Sequence, residues 1–164
     1  VFAHNAASGV LRSIGEITRK HWDWVLDTNA RSLLLCAKEA AHLMHDGGRI
    51  ISLSSIGANR VIPQYGAVGV SKAALESLTR YLAVEFAPRG ISVNAISAGA
   101  VDTDVWNLVP DGQEVLERVR QRTPSGRLLT PEEVAEIVYF LAGPEGAMIQ
   151  GQVIVVDGGY SLLA

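Results

Sequence analysis

Tyr65 and Lys72 stand seven residues apart, a spacing that on an α-helix returns two side chains to nearly the same face, two turns apart. An ammonium near a phenol favours the phenolate. It would make Tyr65 a better proton donor or oxyanion partner for a carbonyl or enolate oxygen. Alone, the pair has an ordinary alternative: an amphipathic surface tyrosine near Pro63 and a solvated lysine. Ser54 and Ser55 add hydroxyls upstream. His21, His42 and His45 have no partners at a recognisable ligand spacing, and the single cysteine, Cys36, permits neither a disulfide framework nor a thiolate metal site. No metal is expected, and Cys36 reads as a packed core thiol.

The elements that must position these groups alternate. Val1-Phe2-Ala3 opens as a strand that runs into His4-Asn5-Ala6-Ala7-Ser8-Gly9. Thr18 is placed to cap a long amphipathic helix from Arg19 to about Met44, ended by Gly47-Gly48. Arg49 to Ser54 is a short β-branched strand that delivers the serines to its carboxyl end. Gly66 to Ala87 is helical, with Leu75, Leu78, Leu82 and Phe86 on one face and Ala74, Tyr81 and Val84 widening the apolar surface, so two covered sides are expected. Ile91 to Ile96 is a strand, Asp111 to Gln121 a surface helix inside a lid-like segment (104–130), and Gln152 to Val156 an apolar strand before Asp157-Gly158-Gly159. Thr130-Pro131-Glu132-Glu133 has the capping-box pattern for a helix to about Ala142.

Short apolar strands separated by helices predict an α/β fold, a doubly wound parallel sheet of Rossmann-like type. Ligands of such sheets bind beyond the strands' carboxyl ends. Here those are His4-Asn5, Ser54-Ser55, Ser97 to Thr103 and Asp157-Gly158.

With 164 residues, 48% hydrophobic and 19% charged, the chain suffices for one core. A net charge of −3 gives no reason to expect nucleic acid or an anionic membrane as partner. No apolar run reaches bilayer length and the first residues do not resemble a signal peptide, so a cytoplasmic protein is expected. Because the chain opens on Val1 inside a strand, upstream sequence is expected to have been removed.

Ser54-Ser55, Tyr65 and Ser71-Lys72-Ala73-Ala74 together resemble the active-site segment of the short-chain dehydrogenase/reductase family. The likeness extends along the chain. His4-Asn5-Ala6-Ala7 is similar to the family's Asn-Asn-Ala-Gly strand end, Asp27-Thr28-Asn29 to its mid-helix Asp-x-Asn, and Val156-Asp157-Gly158-Gly159 to its closing strand. Val93 to Gly99, then Val101-Asp102-Thr103, resembles its nicotinamide- and pyrophosphate-binding segment. The resemblance implies that residues 1–164 are the C-terminal two-thirds of one such domain, without its N-terminal Gly-rich βαβ half.

Three departures sharpen this expectation. Most of the family has tyrosine four residues before the lysine, where this chain has Val68. Tyr65 supplies the acid at the spacing of enoyl-acyl carrier protein reductases, about 4.5 Å further along a helix axis, which moves the expected reaction from C=O to C=C. Ser55 is retained, either bonding the reacting oxygen, shaping the pocket or satisfying nearby backbone. His4 and Ala7 replace the usual Asn and Gly, leaving Asn5 the more secure member of that motif.

Asn5-Ala6-Ala7-Ser8-Gly9-Val10-Leu11, His21-Trp22-Asp23-Trp24, Tyr65 with Val68 to Lys72, and Asp102-Thr103-Asp104 resemble the NADPH-dependent enoyl-acyl carrier protein reductase III subgroup. That implies reduction of a trans-2-enoyl thioester on acyl carrier protein in fatty-acid elongation, by a homotetramer. NADPH is implied by the subgroup alone, and NADH stays open. Tyr65 would stabilise the enolate, Lys72 tune it and bond the nicotinamide ribose, and Asn29 interrupt a helix and hold a relay water; otherwise Asn29 is a solvated helix residue. Asn5, Ala6, Gly99, Val101 and Thr103 would bind cofactor. Asn94 would fix backbone. Trp106 would meet the acyl chain, whereas Trp22 and Trp24 read as core or interface anchors. The alternatives are a 3-oxoacyl or alcohol-type carbonyl reductase, and a fragment or binding module inactive without the missing half.

Overall fold

Four parallel strands, β1 (Phe2–His4), β2 (Gly48–Ser55), β3 (Ile91–Ala98) and β4 (Val153–Val156), lie side by side in chain order. The computed structural model describes residues 1–109 and 111–163. The fold is the expected α/β class with a Rossmann-like sheet. Successive side chains of a strand point to opposite faces, and both faces are apolar. Ile50, Val93 and Ala95 meet Leu33, Ala37 and Ala41 of α2 (Ser32–Leu43) and Leu75 and Leu82 of α3 (Gly66–Phe86). Ile51 and Ile96 meet Leu141 of α5 (Pro131–Ala142) with Ile137 and Val138 packed alongside. Leu75 is fully buried, so truncating it to Ala would cost about 2–5 kcal/mol.

The α2 and α3 connections share one face and α5 the other, although every step moves the same way across the sheet. The β3-to-β4 connection therefore has the opposite hand to those before it, against the usual uniformity of such crossovers. The long excursion between β3 and α5 lets the chain change face. Its ends are tied where the Asp102 N–H donates to the Leu129 carbonyl at 2.9 Å and the Leu129 N–H to that of Ala100 at 3.3 Å. Within the expected lid (104–130) lie a 3₁₀ turn (Asp104–Leu108) and α4 (Gly112–Arg122); Pro110 lies outside the described residues. The α5 capping box forms, with the Glu133 N–H donating to Thr130 Oγ1 at 3.3 Å and the Thr130 N–H to Glu133 Oε2 at 3.0 Å.

The helical run expected from Arg19 to about Met44 is divided, at the Asn29 that the family likeness marked, into α1 (Arg19–Leu26), a π-helical turn (Asp27–Arg31) and α2. The wider turn resets the apolar phase, and the buried stripe of α2 falls on Leu33, Ala37 and Ala41. Cys36 lies off that stripe and is exposed, not packed in the core. Trp22 and Trp24 are 39% and 52% exposed, so neither is a core anchor. On α3, Leu75, Leu82 and Phe86 are buried as expected, but Tyr81 and Val84 are 75% and 77% exposed. Within one chain only one side of this helix is covered.

Candidate active site

β2 carries Ser55 to its carboxyl end, and the chain returns through a 3₁₀ turn (Ile56–Ala58) to Tyr65, immediately before α3. Gln64 has φ 61°, a left-handed backbone uncommon for a residue with a side chain, and its carbonyl accepts the Arg12 N–H at 2.9 Å. This bend turns the Tyr65 ring onto Gly57, where a Cβ would come within 2.5 Å of the ring's Cε1. A Cβ on Gly69 would come 2.6 Å from the Gly57 carbonyl oxygen. The missing side chains let α3 rest on the turn with the phenol between them.

The Tyr65 hydroxyl donates to Ser55 Oγ at 3.4 Å, and Ser55 Oγ also accepts the Gly57 N–H at 3.2 Å. Lys72 Nζ donates to the Leu53 carbonyl at 2.6 Å. Burial pushes the Lys72 ammonium down from 10.5 to about 8, because a low-dielectric site disfavours the charged amine. Val68 is buried with Val25 and Ala67. The position at which most of the family would carry tyrosine is thus an apolar contact.

Asn29 is fully buried, not solvated. Its Oδ1 accepts the Ser8 N–H at 2.8 Å, while Nδ2 donates to the Ser8 carbonyl at 2.9 Å and to Ser71 Oγ at 2.8 Å. The side chain ties the loop after β1, the π-helical turn and α3 together. Asn94 holds backbone, as expected: its Nδ2 donates to the Ile149 carbonyl at 2.7 Å and its Oδ1 accepts the Gln152 N–H at 2.9 Å.

Asn5 and Ala6 are exposed just past β1, Gly99 and Val101 half-buried past β3, and Thr103 exposed beyond them. The Gly99 N–H donates to the Val156 carbonyl at 2.9 Å. Trp106 is half-buried, not free in solvent, because its indole N–H donates to the Val101 carbonyl at 2.9 Å. The group that Val101 can offer to a carboxamide is then its N–H. Lys72 has three N–H donors and one is committed to Leu53, which leaves two for other acceptors, a ribose hydroxyl among them. These donors, grouped beyond parallel strand ends, fit the nicotinamide-ribose portion of a dinucleotide.

Two features escaped the sequence reading. Glu76 is buried, accepting from Ser54 Oγ at 2.6 Å and from Asn59 Nδ2 at 3.0 Å; its place one turn after Lys72 was the available signal. With this tie, Gly57 to Ile62 border a groove of about 280 Å³ beside Tyr65. His4, noted only as a departure from Asn, is buried against Ser32. Among the described residues no group of His, Cys, Asp or Glu could hold a metal ion, and no helix is long and apolar enough to cross a membrane.

Residues 1–161 match a family model described as enoyl-(acyl carrier protein) reductase. The chain is 42% identical, over 99% of its length, to 1-cyclohexenylcarbonyl-CoA reductase of Streptomyces collinus, and spans 59% of that protein. It is 35% identical to enoyl-[acyl-carrier-protein] reductase [NADH] FabI of Escherichia coli (strain K12), over 92% of this chain and 58% of the relative. The crystal structure of the Bacillus cereus enoyl-acyl carrier protein reductase with NADP+ and indole naphthyridinone superposes with a TM-score of 0.93 at 35% identity, covering 99% of this chain and 65% of that one.

Proposed function

Because the chain belongs to the short-chain dehydrogenase/reductase family of oxidoreductases, in its enoyl-(acyl carrier protein) reductase group, we propose that it serves NADPH-dependent reduction of the C=C bond of a trans-2-enoyl thioester. The observation that carries this reading is the exchange of roles between Tyr65 and Val68. The phenol stands beside Ser55 at the strand end, and Val68 is core.

When bound, a reduced nicotinamide would supply the hydride for the β-carbon. Negative charge would then develop on the thioester oxygen, where the Tyr65 O–H donates to it, a contact that strengthens as the charge grows, until the α-carbon takes a proton from water and the saturated thioester forms. Lys72 would donate one of its two uncommitted N–H groups to the ribose hydroxyls, and Ser55 orients the phenol. Asn5, Ala6, Gly99, Val101 and Thr103 would hold the nicotinamide and pyrophosphate, and Trp106 would border the acyl chain under the lid (104–130). The Asn29 side chain is spent on Ser8 and Ser71, so a relay water would sit on its backbone carbonyl.

Acyl carrier protein is the proposed thioester carrier, in fatty-acid elongation, with a homotetramer in the cytoplasm as the working form. The Streptomyces relative is named for a coenzyme A thioester, so both carriers belong in the assay. NADPH follows the subgroup likeness and the NADP+ in the Bacillus structure; the Escherichia relative is named for NADH, so both nucleotides are compared. The Ser55 to Tyr65 bond favours a second reading, reduction of a 3-oxoacyl or alcohol-type carbonyl, since a serine–tyrosine pair can also hold a ketone oxygen.

Tyr65→Phe tests the assignment. Crotonyl thioester turnover should fall about 10²- to 10³-fold, the usual loss on removing one oxyanion donor, with NADPH affinity unchanged. Full turnover in this variant, or a preference for the 3-oxoacyl thioester, would overturn it. If the 164 residues alone bind no NADPH while a longer chain does, they form the inactive-fragment alternative.

A further inference from the structure

His4 is only 3% exposed, and its side chain points to the same sheet face as its β2 partner Ser52, the face covered by α3. Its Nε2 lies 2.7 Å from Ser32 Oγ. Ser32 spends its one proton on the Thr28 carbonyl, so its oxygen must accept from His4, which makes Nε2 the protonated nitrogen. In the neutral ring Nδ1 is then a bare lone pair, and it is buried with no protein partner. A buried polar atom left in this way calls for a partner. Lys72 reaches the same end of the sheet, its Nζ held by the carbonyl of Leu53, the residue after Ser52. Burial, and then the charge of Lys72, holds the imidazole below the usual histidine range, outweighing a contact with its own backbone that acts the other way. His4 thus stays neutral while the amine is charged. Ser8 Oγ, four residues on and beside the Asn29 amide, is also buried without a protein partner.

We propose that His4 is a positioning residue for Lys72: its Nδ1 accepts a hydrogen bond from an ordered water that in turn accepts from Lys72 Nζ, steadying the amine in its charged form. A water needs at least two polar partners in a buried site, and the lone pair and the ammonium supply them. Three other ionisable groups on the packed elements have partners of their own. Asp27 pairs with Arg31 at 3.0 Å on the outside of the π-helical turn, Glu76 binds Ser54 and Asn59, and Tyr65 binds Ser55.

Two substitutions separate the ring's two nitrogens. His4→Asn keeps an acceptor at the Nδ1 position and loses the bond to Ser32. His4→Gln keeps a donor at the Nε2 position and loses the lone pair. The test is the NMR titration of Lys72 in protein labelled on lysine, without substrate. The wild-type midpoint near 8 should fall by about one pH unit in His4→Gln and stay in place in His4→Asn. The imidazole nitrogen shifts of the wild type should report Nε2 protonated. An unchanged midpoint in His4→Gln, an equal fall in His4→Asn, or a proton on Nδ1 would each overturn the proposal. The steady-state consequence, a basic limb of the pH profile displaced the same way in His4→Gln, rests on the proposed reduction. The titration needs no turnover, so failure of one is distinguishable from failure of the other.

Discussion

At Lys72 the requirements of function and stability oppose each other. The folded chain keeps this amine buried, with its pKa near 8, against 10.5 when free. Between those values the unfolded state binds more protons than the folded state, so stability should rise with pH across that window, by up to about 3 kcal/mol from this residue. Below pH 8 the penalty is present in full. Lys72→Met should therefore be at least as stable as wild type at pH 7 and lack the wild-type gain between pH 8 and 10.5. Urea melts of both proteins at several pH values measure this. Its turnover should be lost, and wild-type turnover should decline as pH rises through about 8. Tyr65 and Lys72 were legible because helix geometry fixes the relation of residues seven apart. The burial of His4 was not, since its partner Ser32 comes from an element whose phase the sequence did not reveal.

Elements set the precision of the site. The first turn of α3 sits on the turn after β2 only because Gly57 and Gly69 carry no side chain. Gly57→Ala should displace the Tyr65 ring and lower kcat by an order of magnitude or more, since small misplacements are costly in catalysis. Its cofactor affinity should stay near wild type, as Lys72 and the β3 loop are untouched; steady-state kinetics with a binding titration would separate the two. Asn29→Ala removes three hydrogen bonds, one buried and two partly buried, and should cost about 2–4 kcal/mol, read from denaturant melts. Strands β2 to β4 and the Thr130 to Glu133 cap were legible because β-branching and capping act locally. The π-helical turn was not read from periodicity, because Asp27 to Arg31 is almost wholly polar and apolar residues resume on either side of it; only the likeness at Asp27-Thr28-Asn29 pointed to a break. The reversed hand of the last crossover was equally hidden, being a property of which face α5 covers.

Across the molecule, the central strands β2 and β3 are covered by the chain's own helices while Ala3 and Val155 on the outer strands stay exposed, and the helices are not covered in turn. Single exposed apolar residues are normal on a monomer. Tyr81 and Val84 are instead neighbours one turn apart on α3, and α2, packed on the same sheet face, exposes Leu35. The sequence expected two covered sides on α3, and a second copy of the chain is the partner that would supply the other, consistent with the closed symmetry of most soluble oligomers. Val84→Glu distinguishes this from a merely apolar surface. Val84 is 77% exposed in the single chain, so the substitution should change the stability of an isolated subunit by less than about 0.5 kcal/mol. At a subunit interface it would bury an unpaired carboxylate, which is strongly unfavourable. Sedimentation velocity should show wild type at a multiple of the 17.5 kDa chain mass and Val84→Glu at a lower mass with the same circular dichroism. The melting temperature of wild type should rise with protein concentration, as it must when association stabilises the fold, and that of the variant should not. A wild-type chain that sediments as a monomer at every concentration would refute the oligomer and leave α3 with a solvent-facing apolar side.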